Sequence, residues 1–183
     1  YEIGLKVINN NTKYIFVVQS DTLITKQHFL DFMLSKLNNN NVAVGVREDD
    51  TRVNALHNSG IFFDFDIYKK VNANFFDNLR QRSSKNMPEY DVGDLLTILF
   101  KKNGYKTYTC KNSYNTPSLV QNILEKENYF KDLKVDHCFD DNNNVIFLHL
   151  GRGTPKTTGN YKGNIKTSIE QWIDFAENKI LNN

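Results

Sequence analysis

Cysteine is scarce in this chain. Cys110 and Cys138 are its only two among 183 residues, and their separation matches no paired metal-binding spacing. A disulfide framework and a thiolate zinc site are therefore excluded, and reduced thiols of a cytoplasmic protein are the expectation. Long apolar runs are missing too. No stretch reaches the roughly 18 apolar residues of a membrane span, and the start lacks a basic segment followed by an apolar core, so neither a transmembrane segment nor a secretory leader is expected. Charge of one sign is also lacking: 23 Lys and Arg stand against 21 Asp and Glu, for a net charge of +2. Such balance leaves no electrostatic footprint for nucleic acid. What is present is 39% hydrophobic and 13% aromatic residues, a globular composition. It predicts one compact domain over residues 1–183 with a substantial core.

Hydrophobic periodicity divides the chain into alternating elements. Glu2 to Asn9 reads as the last turns of a helix, followed by a strand at Tyr14 to Val18. A helix from about Lys26 to Leu37 places Phe29, Phe32, Met33 and Leu37 at helical spacing before a strand at Val42 to Val46, a β-α-β pattern that favours a parallel pair. Arg47 to Leu56 is polar and loop-like. Ser59 to Phe65 is a strand, after which Ile67, Val71, Phe75 and Leu79 recur every four residues as in a helix. Beyond the charged connector Arg80 to Pro88, Val92 to Lys102 is helical and stops at Asn103-Gly104, and Tyr105 to Cys110 is a short strand. Asn112 to Asn143 has little pattern beyond a short helix near Leu119 to Lys126 and reads as an excursion over a site. A last strand ends at His149, a Gly-containing loop runs from Gly151 to Gly159, and a final helix, roughly Asn164 to Ile180, is expected to bury Ile165, Ile169, Trp172, Ile173 and Ala176.

Two strand ends carry chemistry. Lys13-Tyr-Ile-Phe-Val-Val-Gln-Ser-Asp21 stops at a carboxylate, and Asn144-Val-Ile-Phe-Leu-His149 stops at a histidine. Ligands of open α/β sheets bind beyond the carboxyl ends of strands, so Asp21 and His149 can share a divalent cation. The residues alone equally allow a helix N-cap at Asp21 and a core partner at His149.

The order of these segments resembles the later two-thirds of a family 2 type glycosyltransferase of the GT-A fold. Ile3-Gly4-Leu5-Lys6 resembles that family's Gly-Leu segment before its aspartate strand, and Tyr14 to Thr22 resembles the strand ending in its Asp-x-Asp metal motif, with Gln19 at the first position and Asp21 at the second. Asn74-Phe-Phe-Asp77 is similar to a Gly-x-Phe-Asp stretch near the acceptor. Glu89-Tyr-Asp91-Val-Gly-Asp94-Leu-Leu, with Gly104-Tyr105 after it, resembles the acidic pair, helix and Gly-Tyr turn, and His149-Leu-Gly151-Arg152-Gly153 the late His-plus-Gly segment.

The resemblance implies a three-layer α/β/α domain with a mixed, mainly parallel sheet, of the nucleotide-diphospho-sugar transferase type. It implies Mn²⁺ or Mg²⁺ held by Asp21 and His149, and a catalytic base supplied by Asp91 or Asp94, depending on the register chosen. Arg152 and Lys156 are the cations for the donor diphosphate, and Asn58 and Gly60 approach donor sugar or acceptor. The implied activity moves a sugar from a nucleotide-sugar donor to a glycan or other hydroxyl acceptor. The family's nucleotide-recognising first strands have no counterpart here, so a fragment is expected, inactive by itself and weak in binding nucleoside diphosphates. Edge strands left uncovered by that loss predict self-association as a homo-oligomer. The alternative is a noncatalytic sugar- or protein-binding module on the same fold, motivated by Gln19.

Overall fold

The computed structural model of the chain describes residues 2–9, 11–49, 53–75, 92–151, 160–161, 164–165 and 167–181. Two compact units emerge, Tyr1–Gln19 with Asp31–Cys110, and Ser20–Leu30 with Lys111–Asn183. In chain order the helices are α1 (Glu2–Lys6), α2 (Phe29–Lys36), α3 (Phe65–Lys70), α4 (Asp94–Lys102) and α5 (Ile169–Phe175). The strands are β1 (Tyr14–Val18), β2 (Thr22–Ile24), β3 (Asn41–Gly45), β4 (Glu48–Asp49), β5 (Ala55–Leu56), β6 (Gly60–Asp64), β7 (Lys106–Thr109), β8 (Lys111–Asn112), β9 (Asp136–Phe139), β10 (Val145–His149), β11 (Asn160–Tyr161) and β12 (Asn164–Ile165).

The first unit is built on a mixed sheet of order β1-β6-β3-β7. β6 pairs antiparallel with both β1 and β3, and β3 pairs parallel with β7. The protein is thus mixed α/β with some parallel pairing, but the sheet is not mainly parallel as expected. The physical reason is β6: it lies between β1 and β3, so these two run in the same direction without bonding to each other. Phe63 of β6 anchors the core, its ring centroid 6.0 Å from Phe75 and 6.5 Å from Phe100. Leu5, Leu56, Ile61 and Leu96 are buried in the same cluster.

Asp64 caps α3, its Oδ1 accepting from the Ile67 amide at 2.9 Å, which satisfies one of the orphan donors at a helix start. The expected continuation of this helix through Val71 and Phe75 does not occur. α3 ends at Lys70, and Asn72 takes a left-handed φ of 50° that turns the chain; Asn tolerates that region better than other side-chain-bearing residues. Phe75 reaches the core from the turn, and Leu79 lies outside the described residues. The stop of α4 at Asn103-Gly104 is as the sequence predicts.

The second unit carries an antiparallel sheet of order β2-β10-β9-β8. All five residues of β10 and all four of β9 are buried. Phe130, Phe139, Val145, Leu148, Trp172 and Phe175 form its core, and Phe29 stacks on Phe147 at 5.6 Å between centroids. The predicted short helix near Leu119 to Lys126 is replaced by two 3₁₀ segments, Pro117–Asn122 and Glu125–Asp132. α5 begins with a capping box in which Ser168 and Gln171 satisfy each other's amides. Trp172 is buried as expected, but its companion in the core is Phe175, whereas Ile169 and Ile173 are 42% and 49% exposed.

Candidate functional site

Asp21 occupies the turn that enters β2, and its carbonyl accepts from the Leu150 amide at 2.9 Å. β2 pairs antiparallel with β10 so that Thr22 faces His149, and on the other side of β10 the same His149 faces Asp136, the first residue of β9. The ladder therefore brings three side chains to one end of the sheet. His149 Nδ1 lies 3.0 Å from Asp136 Oδ2, and His149 Nε2 lies 3.6 Å from Asp21 Oδ1. The sequence-predicted partners Asp21 and His149 are thus brought together.

Burial is graded across this triad. The His149 side chain is 4% exposed, Asp136 10% and Asp21 33%, so the Asp21 side is the one open to solvent. The Nδ1–Oδ2 separation is that of a hydrogen bond, and an ionised carboxylate can only accept in it. Nε2 is the ring nitrogen that faces Asp21 Oδ1. At 3.6 Å the two atoms are too far apart for a good hydrogen bond, but donors sharing one cation at bonds of about 2.0–2.2 Å lie roughly 3.0–3.6 Å apart. Among the described residues no group of three or more His, Cys, Asp or Glu side chains is arranged to hold a metal ion; Asp21 and His149 form a pair whose spacing alone is compatible with a shared cation.

Gly151 closes the site from behind. Its φ is +59°, and a Cβ placed on it would stand 3.3 Å from His149 Cε1 and 3.5 Å from Asp136 Oδ2. A residue with a side chain would be strained at this φ and would crowd the pair.

In the first unit Asn58 and Gly60 lie beside the end of β1 and Gln19. Asn58 is buried, and its Oδ1 accepts from Gln19 Nε2 at 3.1 Å. Gly60 pairs with Val18 at the end of β1. Gly93, with φ of 95°, packs the start of α4 against Asn58: a Cβ there would meet Asn58 Cβ at 3.3 Å. Asp94 follows in the first turn of α4, 1% exposed, where the helix dipole favours a carboxylate. Asp91, Arg152 and Lys156 lie outside the described residues.

Asp136 is the site residue that sequence reasoning missed. Its strand sits inside the stretch read as an excursion. The available signal was Asp140-Asp-Asn-Asn-Asn144, turn chemistry flanked by Cys138-Phe139 and Val145-Ile146, which marks a hairpin. Asp140 organises that turn by accepting from the amides of Asn142 and Asn144, each at 2.9 Å. Burial opposes its charge, but the Asn144 side chain and amide, the His28 ring and the Asn142 amide outweigh it and hold its carboxyl below the usual range. His137, beside Asp136, points into a separate buried contact. Its Nε2 donates to the Phe130 carbonyl at 2.9 Å and its Nδ1 lies 3.3 Å from Ser113 Oγ, while burial pushes its pKa down. Ser113 Oγ also accepts from the His137 amide at 2.8 Å, which makes this pair a tie between β9 and the Ser113 turn.

Comparison of the chain with protein-family models, curated proteins and solved structures finds no match.

Proposed function

We propose that this chain is the catalytic region of a metal-dependent glycosyltransferase, with a three-layer GT-A arrangement and a cytoplasmic setting. The observation that carries the reading is the 3.6 Å approach of His149 Nε2 to Asp21 Oδ1 at the solvent-facing end of a buried strand pair. The carboxylate and imidazole donors suit Mn²⁺ better than Mg²⁺, which prefers an all-oxygen shell. When bound, the cation neutralises charge on a departing diphosphate. Asp91 or Asp94 accepts the proton of the attacking acceptor hydroxyl, Arg152 and Lys156 neutralise the diphosphate, and Asn58 and Gly60 orient donor sugar or acceptor.

Titration with Mn²⁺, followed by electron paramagnetic resonance, tests the reading directly. Binding is expected, weakened at least tenfold in Asp21→Ala and in His149→Ala. An affinity unchanged by either substitution overturns it. Glycosyl transfer from a panel of nucleotide sugars is the second arm, in which Asp94→Asn lowers turnover if Asp94 is the base. The competing noncatalytic module is favoured by one contact: Gln19, standing where the family resemblance expects a metal-directed carboxylate, is committed to Asn58. Absence of Mn²⁺ binding together with retained glycan binding would select that reading.

A further inference from the structure

We propose that Asp136 is a positioning residue: it fixes His149 in the Nδ1–H tautomer and aims Nε2 at the space beside Asp21, so that the imidazole is presented as a ready-made cation ligand. The inference rests on the metal reading of Asp21 and His149, and it adds a residue that the motif resemblance does not contain.

Three observations converge. The first is register. Asp136 and His149 are directly opposed across the β9/β10 ladder, so backbone pairing, and not a flexible side chain alone, sets the distance between them. The second is the contact: Nδ1 to Oδ2 is 3.0 Å, and both side chains are nine-tenths or more buried. A charge-assisted bond shielded from water orients a ring more firmly than an exposed one. The third is Gly151, at a left-handed φ of +59°, whose backbone passes so near the His149–Asp136 contact that a Cβ there would stand 3.3 Å from His149 Cε1 and 3.5 Å from Asp136 Oδ2. The Asp136 contact orients the ring from its Nδ1 side, and the close Gly151 backbone lines the same side. A carboxylate behind a ligating histidine sets its tautomer and raises its basicity, and loss of such a partner typically costs 10–100-fold in metal affinity.

A purely structural ion pair would explain burial and distance equally well, so the test must read the ring itself. Long-range ¹H–¹⁵N correlation spectra in mildly alkaline, metal-free buffer report which nitrogen of His149 carries the proton. The proposal expects Nδ1–H in the wild-type protein. That arm requires no variant and no metal. Asp136→Asn, close to isosteric, can donate its amide to Nδ1 and is expected to shift the population toward Nε2–H and to weaken Mn²⁺ binding by roughly 10–100-fold. Asp136→Ala, expected to free the ring, serves as the second variant should Asn distort the hairpin. A wild-type ring protonated on Nε2 overturns the proposal, as does Asp136→Asn with both tautomer and Mn²⁺ affinity unchanged. If the wild type binds no Mn²⁺ while its tautomer still follows residue 136, the metal reading fails and the positioning role stands.

Discussion

At the scale of single residues, burial of charge marks where the fold depends on one side chain. Glu127 is 2% exposed, forms an ion pair with Lys26, and its Oε2 accepts from the Val145 amide at 3.0 Å. It ties a 3₁₀ segment to the first residue of the site-bearing strand β10. Glu127→Ala removes the acceptor, leaving a buried amide without that bond and Lys26 without its countercharge, a loss of about 3 kcal/mol. The expected outcome is a lower urea midpoint. Glu127→Gln should restore part of it, because the amide oxygen still accepts from Val145. Equal stability of Glu127→Ala and the wild type would mean that β10 is anchored elsewhere. Asp21 shows the opposite pattern, since its side chain stays one-third exposed at a strand end; stability is not what recommends a carboxylate there.

At the scale of elements, the outcome of each expectation follows from what the periodicity measures. β1 and β10 were legible because their apolar runs are continuous over a strand's ordinary length and are bounded by turn residues. β9 was not, because two of its four residues, Asp136 and His137, are polar, and buried polar residues carry no hydrophobic signal. α5 was legible as a helix but not in its face. Ile169, Trp172 and Ile173 are spaced as a stripe, yet of these only Trp172 is buried, joined by Phe175, whose ring lies 5.7 Å from that of Phe130. Area decides between competing faces, and aromatic rings bury more of it. The loop after β10 gives the sharpest element-scale expectation. Gly151→Ala must adopt a left-handed φ and press its methyl against His149. A destabilisation of roughly 1–2 kcal/mol follows from the backbone alone, and displacement of the ring should appear as weaker Mn²⁺ binding. A variant as stable as wild type in thermal melts would show that the segment relaxes without cost.

At the scale of the whole molecule, the mixed α/β class was readable while the strand order was not. Local sequence announces β1, α2 and β3 in succession, but nothing local announces that β6, arriving later, inserts between the two strands. The proximity of Asp21 and His149 was legible because both stand at strand ends, whereas Asp136, which reaches His149 across a ladder, carries no such mark in the sequence. One global property depends on groups in the second unit. Burial lowers the His137 pKa in the folded chain, against the opposing effect of its bond to the Phe130 carbonyl. Below about pH 6.5 an unfolded histidine takes up a proton that the folded one refuses, so unfolding binds protons and stability falls as pH drops from there toward the folded value. Asp140 acts in the same direction at lower pH: its depressed folded pKa contributes stability above the unfolded value of about 3.9, and that contribution is lost as pH falls through the folded value. Two acid-driven losses are therefore expected in denaturant midpoints measured from neutral to strongly acidic buffer. His137→Gln should weaken the protein overall yet flatten the first of them, and Asp140→Asn the second. A midpoint that stays level from neutral to mildly acidic buffer in the wild type would show that His137 can be protonated inside the fold, with Nε2 still donating to Phe130 and the Ser113 hydroxyl turned to accept from Nδ1.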